Sequence, residues 1–455
     1  MLETLNNIQL GEEQVLAIEK VKDFITNKEF NLSIVGAAGT GKSLIVSCII
    51  KILQDTNIDY CLCAPTHKAK TVIEHYTGNM AVTLHKLLSL SPKLDIINLD
   101  FKDLLFNKGA ASGYIPYRGI VICDEASMIS DDLYKILCKS CKEMCSKIIF
   151  ISDKAQIKPV KSERVSLVYN IKNTITLTKI YRQSEKNALM SILQRLREHE
   201  IHKFDTTIGE EGSLLCDSNF AEFFNKCKNG ISSAIQNKNI FECKVLAYTN
   251  KKVDLYNKYL TKTIFEDDKL YHRFEILMGC ENLEINNFYF WNSMDYIIVE
   301  EPKEIDIFIP NFQSLPGYSL TLYDSGKKEI ESIKILSSEI DDNYYKALAY
   351  KIEGTRLDAI RAKNKSSKSK AWREYYKINN SFTTPIDLTI NNRVIRKRSF
   401  DKGYAITTHR AQGSSYDNIY IDMEDINRCN DIETKRQLQY VALSRTRNNA
   451  YIYQK

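Results

Sequence analysis

Long apolar runs, proline and zinc-type histidine spacings are scarce in this sequence of 455 residues, which has 8 prolines and 7 histidines. No apolar run approaches the ~20 residues of a membrane-spanning helix, so we expect no membrane protein. Residues 1–7 have neither the basic segment nor the apolar stretch of an export signal, and we expect a cytoplasmic protein. The net charge of +6 is small for this length and allows nucleic-acid binding without requiring it.

The 12 cysteines are scattered, and most lie in apolar segments where they resemble small core residues. Cys138, Cys141 and Cys145 form the one group whose spacing suggests a metal or redox site. The same spacing places all three on one buried face of a helix predicted over 133–145, and no fourth ligand follows nearby. We therefore favour core residues over a metal site, and we expect a reducing, intracellular compartment.

A glycine-rich loop, G-A-A-G-T-G-K-S at 36–43, lies between an apolar strand pattern at 32–35 and a helical pattern. Its glycines let the backbone turn so that N–H groups face a polyphosphate, and the helix adds the positive end of its dipole. Lys42 reaches the β- and γ-phosphates, and the Ser43 hydroxyl binds Mg²⁺. The loop residues predicted to bind ATP are Gly39, Thr40, Gly41, Lys42 and Ser43.

Two further motifs follow later strands of the same predicted sheet. The apolar run at 120–123 ends in Asp124, which would hold Mg²⁺ through water, and Glu125, which would deprotonate the attacking water. Gln156 follows the next strand and can hydrogen-bond both the γ-phosphate and that water. Ligands of open α/β sheets bind at the carboxyl ends of strands, so we expect the three motifs to converge.

The order of patterns predicts an α/β protein with two parallel-sheet domains. Strands at 32–35, 59–63, 119–123 and 147–151 alternate with helices, and the polar stretch 88–117 interrupts them as an insertion, for which a hairpin is one interpretation. In the second half, short alternating runs over 266–336 predict a small antiparallel barrel, and 339–380 is helical. The predicted domains are 1–180 with the insertion 88–117, then 181–264 together with 395–455, and an inserted domain at 265–394.

The ordered motifs resemble those of superfamily 1 helicases of the RecD-like, superfamily 1B branch over nearly the whole chain. Besides the phosphate motifs, the matching segments are A-P-T-H-K-A-K at 64–70, T-L-H at 83–85, L-T-K-I-Y-R-Q-S at 177–184, A-Y-T-N-K at 247–251, A-I-T-T-H-R-A-Q-G-S at 405–414 and Y-V-A-L-S-R-T-R at 440–447. The resemblance implies that the parallel-sheet domains are RecA-like, that the first carries a hairpin insertion, and that the second carries an SH3-like β-barrel with a helical extension.

Carried over to this chain, the resemblance also implies roles for residues around the nucleotide. Gln14 matches the glutamine that reads adenine, and Gly413 matches a further nucleotide contact. Arg182 and Arg445 match arginine fingers, which stabilise the charge that develops on the γ-phosphoryl group. Tyr181 matches a position that stacks on adenine, although a core tyrosine is an equal alternative. With Lys42, Glu125 and Gln156, the two arginines complete the predicted catalytic set.

For single-stranded DNA, the matching residues carry hydroxyl, amide or imidazole groups at strand ends, which suit phosphate contacts. They are Thr66, His67, His85, Thr249, Asn250, Thr408 and His409. Any one of them alone is better explained as a helix cap or turn residue. In the insertion, Pro92 and Phe101 resemble the pin that splits the duplex, and a plug in a small local core is the alternative for Phe101.

We therefore expect an ATP-dependent DNA helicase that uses ATP and Mg²⁺; 5′→3′ movement is implied by the resemblance alone. Its partners would be single-stranded and forked duplex DNA, with a single-stranded-DNA-binding protein or replication proteins as further candidates. The Lys-, Asn- and Ile-rich composition is compatible with an AT-rich phage genome, in which case the compartment is the host cytoplasm. Three alternatives remain open: a translocase that strips proteins from DNA, an RNA motor, and a non-catalytic nucleotide-dependent binding module.

Overall fold

The computed structural model describes residues 4–5, 8–37, 39–92, 106–108, 114–157, 166–179, 188–198, 203–286, 288–325 and 328–455. Three predicted site residues, Phe101, Tyr181 and Arg182, lie outside this part of the chain. None of the helices in the described ranges combines the length and the apolar character that a bilayer crossing requires.

The first α/β domain is built on a parallel sheet with the strand order β10-β3-β9-β8-β4-β5. The strands of this domain are β1 (Thr4–Leu5), β2 (Ile8–Gln9), β3 (Asn31–Gly36), β4 (Tyr60–Ala64), β5 (Ala81–Thr83), β6 (Leu90–Pro92), β7 (Phe106–Lys108), β8 (Ile120–Cys123), β9 (Lys147–Ser152) and β10 (Thr174–Leu177). Outside the parallel sheet, β1 pairs with β2 and β6 pairs with β7, both antiparallel. Its helices are α1 (Glu12–Thr26), α2 (Lys42–Asp55), α3 (His67–Thr77), α4 (Leu84–Leu87) and α5 (Asp131–Glu143). The four predicted strands are confirmed as β3, β4, β8 and β9.

The second α/β domain begins with α6 (Ala188–Arg197), β11 (Ser213–Asp217), α7 (Phe220–Gln236), β12 (Cys243–Ala247) and α8 (Asn250–Phe265). An insertion then follows, and its strands are β13 (Ile276–Gly279), β14 (Leu283–Ile285), β15 (Phe288–Phe290), β16 (Asp295–Ile298), β17 (Lys303–Phe308), β18 (Ser314–Asp324) and β19 (Glu329–Leu336). Strands β17, β18, β16 and β13 pair antiparallel in that order, and β19 pairs with β18. The prediction of an antiparallel region here is confirmed.

The remainder of the insertion is helical and then returns to the same antiparallel sheet. It consists of α9 (Asp342–Arg361), α10 (Lys365–Asn379), β20 (Leu388–Ile390), β21 (Arg393–Arg396) and β22 (Phe400–Lys402). The predicted helical character of 339–380 is confirmed. Because β22 pairs with β13, the antiparallel sheet extends past the predicted boundary at 395.

The chain then completes the second parallel sheet, whose strand order is β11-β25-β24-β12-β23. The closing elements are β23 (Ala405–Thr407), α11 (Thr408–Ala411), β24 (Tyr416–Asp422), α12 (Met423–Ile426), α13 (Ile432–Ser444) and β25 (Thr446–Tyr453). Burial follows the sheet type: β12 is buried at every position, as expected of a strand covered on both faces, whereas β18 mixes buried and exposed positions.

The cysteine helix differs from its prediction at one end. Cys141 is buried and Cys138 is half-buried on α5, but Cys145 is exposed beyond the end of the helix, with a φ of +55°. The prediction that the three share one buried face is wrong for Cys145, because α5 ends at Glu143 and the chain turns before β9.

Candidate nucleotide and DNA sites

The glycine-rich loop has the backbone conformation that a phosphate-binding loop requires. Gly39 and Gly41 have φ values of +85° and +83°, in the left-handed region that glycine enters without strain. The helix α2 begins directly after Gly41, so its N-terminal N–H groups lie at the end of the loop. Lys42 Nζ donates to the carbonyl oxygens of Gly36 and Ala37, each over 2.8 Å, which holds the ammonium against the loop.

Gln14 is packed against the same loop from helix α1. Its Oε1 accepts from the Gly11 N–H over 3.0 Å, and its Nε2 donates to the Thr40 carbonyl over 3.1 Å. The side chain is 2% exposed, and a methyl group at Gly41 would lie 2.1 Å from its Nε2. Gln14 therefore adjoins the predicted phosphate site, and reading of adenine by this residue stays a prediction.

Asp124 and Glu125 directly follow β8 and are fixed by hydrogen bonds. The Glu125 N–H donates to Asp124 Oδ1 over 2.8 Å, and the Tyr76 hydroxyl donates to Asp124 Oδ2 over 2.7 Å. Burial raises the pKa of Asp124, against these hydrogen bonds and the charge of Lys42. Burial and the neighbouring Asp124 raise the pKa of Glu125, which suits a group that must accept a proton from water.

Tyr76, on α3, was not predicted from the sequence, yet it joins the two predicted Mg²⁺ residues. Besides donating to Asp124, its hydroxyl is influenced by the Ser43 side chain, which opposes the rise in the pKa of Tyr76 that burial causes. Tyr76 thus neighbours both Ser43 and Asp124, and both residues offer the hard oxygen ligands that Mg²⁺ prefers. The residues fit a Mg²⁺ ion bound by the Ser43 hydroxyl and, through water, by Asp124. Such an ion would neutralise charge on the phosphates.

We expect Tyr76→Phe to weaken Mg²⁺ binding about 10- to 100-fold, because groups that orient a metal-binding carboxylate have effects of this size. The measurement is the Mg²⁺ concentration that gives half of the maximal rise in melting temperature with ADP, alongside the Mg²⁺ dependence of ATP hydrolysis. Tyr60→Phe is a matched control, because its hydroxyl bonds with Gln54 and Asn79 at the other end of β4. Identical Mg²⁺ titrations of Tyr76→Phe and wild type would contradict this role.

Hydrogen bonds from side chains of the predicted phosphate site also connect the two α/β domains. Gln412 Nε2 donates to Gln156 Oε1 over 2.9 Å, and both side chains are buried. The Tyr440 hydroxyl donates to Asp153 Oδ2 over 3.0 Å. Gly413 has a φ of +77°, and a methyl group there would lie 3.5 Å from a side chain of α3. The predicted residues Gln156 and Gly413 therefore lie at the interdomain interface.

Arg445, at the C-terminal end of α13, is buried within the second domain. Its guanidinium donates to the carbonyl oxygen of Val441 over 3.2 Å and to that of Ser414 over 3.3 Å. It also donates to the Ser444 hydroxyl over 2.9 Å. Its charge acts across the interface, because it opposes the rise in the pKa of Glu125. The charge of Arg445 thus acts on Glu125 of the predicted phosphate site, while its hydrogen bonds to described residues stay in its own domain.

The predicted DNA-binding residues follow strands at one side of each parallel sheet. In the first sheet these strands are β5 at the edge and β4 beside it, and in the second they are β23 at the edge and β12 beside it. The residues that follow them are Thr66 and His67 after β4, His85 after β5, Thr249 and Asn250 after β12, and Thr408 and His409 after β23. The nucleotide motifs instead follow β3, β8 and β9, so the two sets are separated along the first sheet.

Several of these residues have local structural partners. The hydroxyls of Thr66 and Thr249 each accept the backbone N–H three residues later, so their interpretation as helix caps is confirmed. Thr408 is fully buried and donates to the Ala247 carbonyl over 3.3 Å. Burial lowers the pKa of His85 and of His409, which favours the neutral form of both imidazoles. DNA contacts by this set stay a prediction.

The fold and the motif residues define the class to which this chain is similar. Residues 9–216 match the family model described as an AAA domain, and residues 402–453 match that of the UvrD-like helicase C-terminal domain. A solved structure of Pif1 helicases at forked double-stranded DNA aligns over 98% of this chain and 92% of its own, with 16% identity and a TM-score of 0.52. The fold is thus Pif1-like, with RecA-like domains built on parallel sheets.

Among individual proteins, the ATP-dependent DNA helicase dda of Enterobacteria phage T4 is 27% identical over 97% of this chain and 98% of its own length. The RecD subunit of the RecBCD enzyme of Buchnera aphidicola is 26% identical over 99% of this chain and 74% of its own. These similarities confirm the resemblance to superfamily 1B helicases that the motifs predict.

Proposed function

We propose that this chain is an ATP-dependent DNA helicase that moves 5′→3′ along single-stranded DNA and separates duplex DNA. An ATP-hydrolysing activity agrees with the similarity to helicases over nearly the whole chain. The observation that carries the proposal is the buried hydrogen bond between Gln156 and Gln412. It joins the residue predicted to sense the γ-phosphate to the other domain, so a change at the phosphate alters an interdomain contact.

In the proposed cycle, ATP and Mg²⁺ bind between the two RecA-like domains and draw them together. Lys42 must then leave the carbonyl oxygens of Gly36 and Ala37 to reach the β- and γ-phosphates. Interdomain contacts such as Lys68 Nζ to the Tyr416 hydroxyl, at 3.0 Å, must adjust as the domains close. Hydrolysis reopens the domains, and alternate closure and opening moves each domain in turn along the strand.

We propose that single-stranded DNA crosses both parallel sheets on the side of β4, β5, β12 and β23, where the predicted contact residues lie. This path runs beside the nucleotide site rather than through it, because the nucleotide motifs follow other strands of the first sheet. Forked duplex DNA is the proposed substrate, and a single-stranded-DNA-binding protein or replication proteins are proposed partners. The proposed compartment is the cytoplasm, that of the host if the source is viral.

The finer domain division is also a proposal. The first RecA-like domain would span 1–180 with a pin insertion at 88–117, and the second would span 181–264 and 395–455. The inserted domain, proposed as 265–394, would combine an SH3-like barrel at 266–336 with the helical extension at 339–380, and β22 (Phe400–Lys402) adds a strand from beyond that boundary to its sheet. The antiparallel pairing of β6 with β7 and of β13 with β16, β18 and β17 supports these assignments. Pro92 and Phe101 are the proposed pin residues.

A strand-displacement assay on duplexes with a 5′ or a 3′ single-stranded overhang tests the proposal. We expect ATP-dependent displacement from the 5′ overhang and little from the 3′ overhang, because a motor that moves 5′→3′ must load on a free 5′ segment. Lys42→Ala is the inactive control. ATP hydrolysis stimulated by poly(dT) without displacement from either substrate would indicate a translocase, and stimulation by poly(U) but not poly(dT) would indicate an RNA motor.

A further inference from the structure

Three aromatic rings are aligned where the predicted DNA path meets the inserted domain. The ring of His67, at the start of α3, is stacked on the ring of Trp291, with centroids 3.6 Å apart and planes inclined by 14°. The ring of Tyr289 is nearly parallel to that of Trp291, with centroids 5.4 Å apart and planes inclined by 10°. Aromatic side chains mostly pair at 4.5–7 Å in offset or edge-on arrangements, so the closer pair is stacked as bases are.

The backbone holds Trp291 rigidly in this position. Its N–H donates to the hydroxyl of the fully buried Tyr296 over 2.7 Å. Its carbonyl oxygen packs against Gly279, where a methyl group would lie 2.4 Å away. The ring therefore lies on a fixed loop between β15 and β16, and the indole face is preorganised for a planar group.

A cation lies close to the same loop. Arg410 Nη1 is 3.9 Å from Met278 Sδ and 3.8 Å from Cys280 Sγ, the two neighbours of Gly279 in the chain. In the part of the chain that the structure describes, no carboxylate forms an ion pair with Arg410. Its charge thus remains available to a phosphate near Gly279, against which the backbone of Trp291 packs. An aromatic platform next to a cation is the combination by which proteins bind single strands without reading sequence.

We propose that Trp291, with Tyr289 beside it, is a stacking site for one nucleobase of the single strand, and that Arg410 binds an adjoining phosphate. The base takes the place of the His67 imidazole against the Trp291 face. In the structure His67 covers this face, so entry of the strand exchanges one stacked ring for another. The inference rests on the proposed function, and it adds a contact from the inserted domain to those predicted on the two parallel sheets.

Tryptophan fluorescence tests the proposal directly, because the chain has only 2 tryptophans and Trp372→Phe leaves Trp291 as the sole reporter. We expect saturable quenching when a short oligo-dT binds, and little change with an abasic oligonucleotide of the same length. In parallel, Trp291→Ala should bind oligo-dT about tenfold more weakly, because the variant loses the stacking of a base on the indole ring, which contributes to affinity for any base. It should bind the abasic strand as wild type does, and Trp291→Phe should retain most of the affinity for oligo-dT.

Binding is measured separately by the anisotropy of labelled oligonucleotides, so the outcomes can be told apart. Binding without quenching in the Trp372→Phe protein would overturn the stacking site, as would equal losses of oligo-dT and abasic binding in Trp291→Ala. The latter result would mean that the ring pair only holds the inserted domain on the first domain. If wild type bound no oligonucleotide at all, the proposed function itself would fail. The quenching arm keeps Trp291 intact, so it does not depend on the folding of Trp291→Ala.

Discussion

Glu125→Gln should nearly abolish ATP hydrolysis while leaving ATP binding intact. The carboxylate is the proposed proton acceptor, and general base catalysis contributes about 10²- to 10⁴-fold to such reactions, so we expect turnover to fall by at least the lower figure. Glutamine has the same shape, and the backbone at this position is fixed by the hydrogen bond of the Glu125 N–H to Asp124 Oδ1. The Mg²⁺ and phosphate contacts proposed for Asp124 and Lys42 would not need the Glu125 carboxylate.

Single-turnover hydrolysis and equilibrium binding of a fluorescent ATP analogue measure the two effects separately. Glu19→Gln, at an exposed position of α1 in the same domain, is the matched control and should hydrolyse ATP as wild type does. Undiminished turnover in Glu125→Gln would favour a non-catalytic binding module over a motor. Loss of binding together with turnover would instead place Glu125 in the nucleotide pocket as a structural group.

The functional residues that could be predicted from the sequence lie in short motifs of neighbouring residues. The phosphate loop, with its left-handed Gly39 and Gly41, is determined by local backbone geometry. Asp124 and Glu125 are predictable for a related reason. An apolar run followed directly by two carboxylates indicates the carboxyl end of a buried parallel strand, where ligands bind. The same local logic identified Thr66 and Thr249 as potential caps, and the structure confirms that role.

The residues that the sequence did not reveal act over long separations. Tyr76 reaches Asp124 across 48 positions and Tyr440 reaches Asp153 across 287, and neither spacing has a local pattern. The first contact depends on which strands become neighbours in the first sheet, and the second depends on how the two α/β domains pack together. The short strands β5 and β10 were also missed. Strand β5 has only three residues, and β10 reads T-I-T-L, without the continuous apolar run that marks the equally short β8.

The interdomain position of Arg445 leads to the second large expected effect. In the structure its guanidinium is held by Val441, Ser414 and Ser444, while its charge already influences Glu125. An arginine finger must give up such contacts and reach the γ-phosphoryl oxygens when the domains close. The present hydrogen bonds therefore describe a resting position from which closure would release the side chain.

We expect Arg445→Gln to lower DNA-stimulated ATP turnover about 10³- to 10⁵-fold, the range known for arginine fingers, with little change in ATP affinity. Steady-state hydrolysis with and without oligo-dT provides the measurement. Arg447→Gln is the matched control, because Arg447 lies two residues later, is half exposed and pairs with Asp417 at 3.4 Å. A stimulated rate equal to that of wild type would show that Arg445 only stabilises the second domain. Because the introduced glutamine amide retains hydrogen-bond donors for the Ser414 and Val441 carbonyls, a large loss of turnover in a folded variant would instead show that the positive charge itself acts on the phosphate.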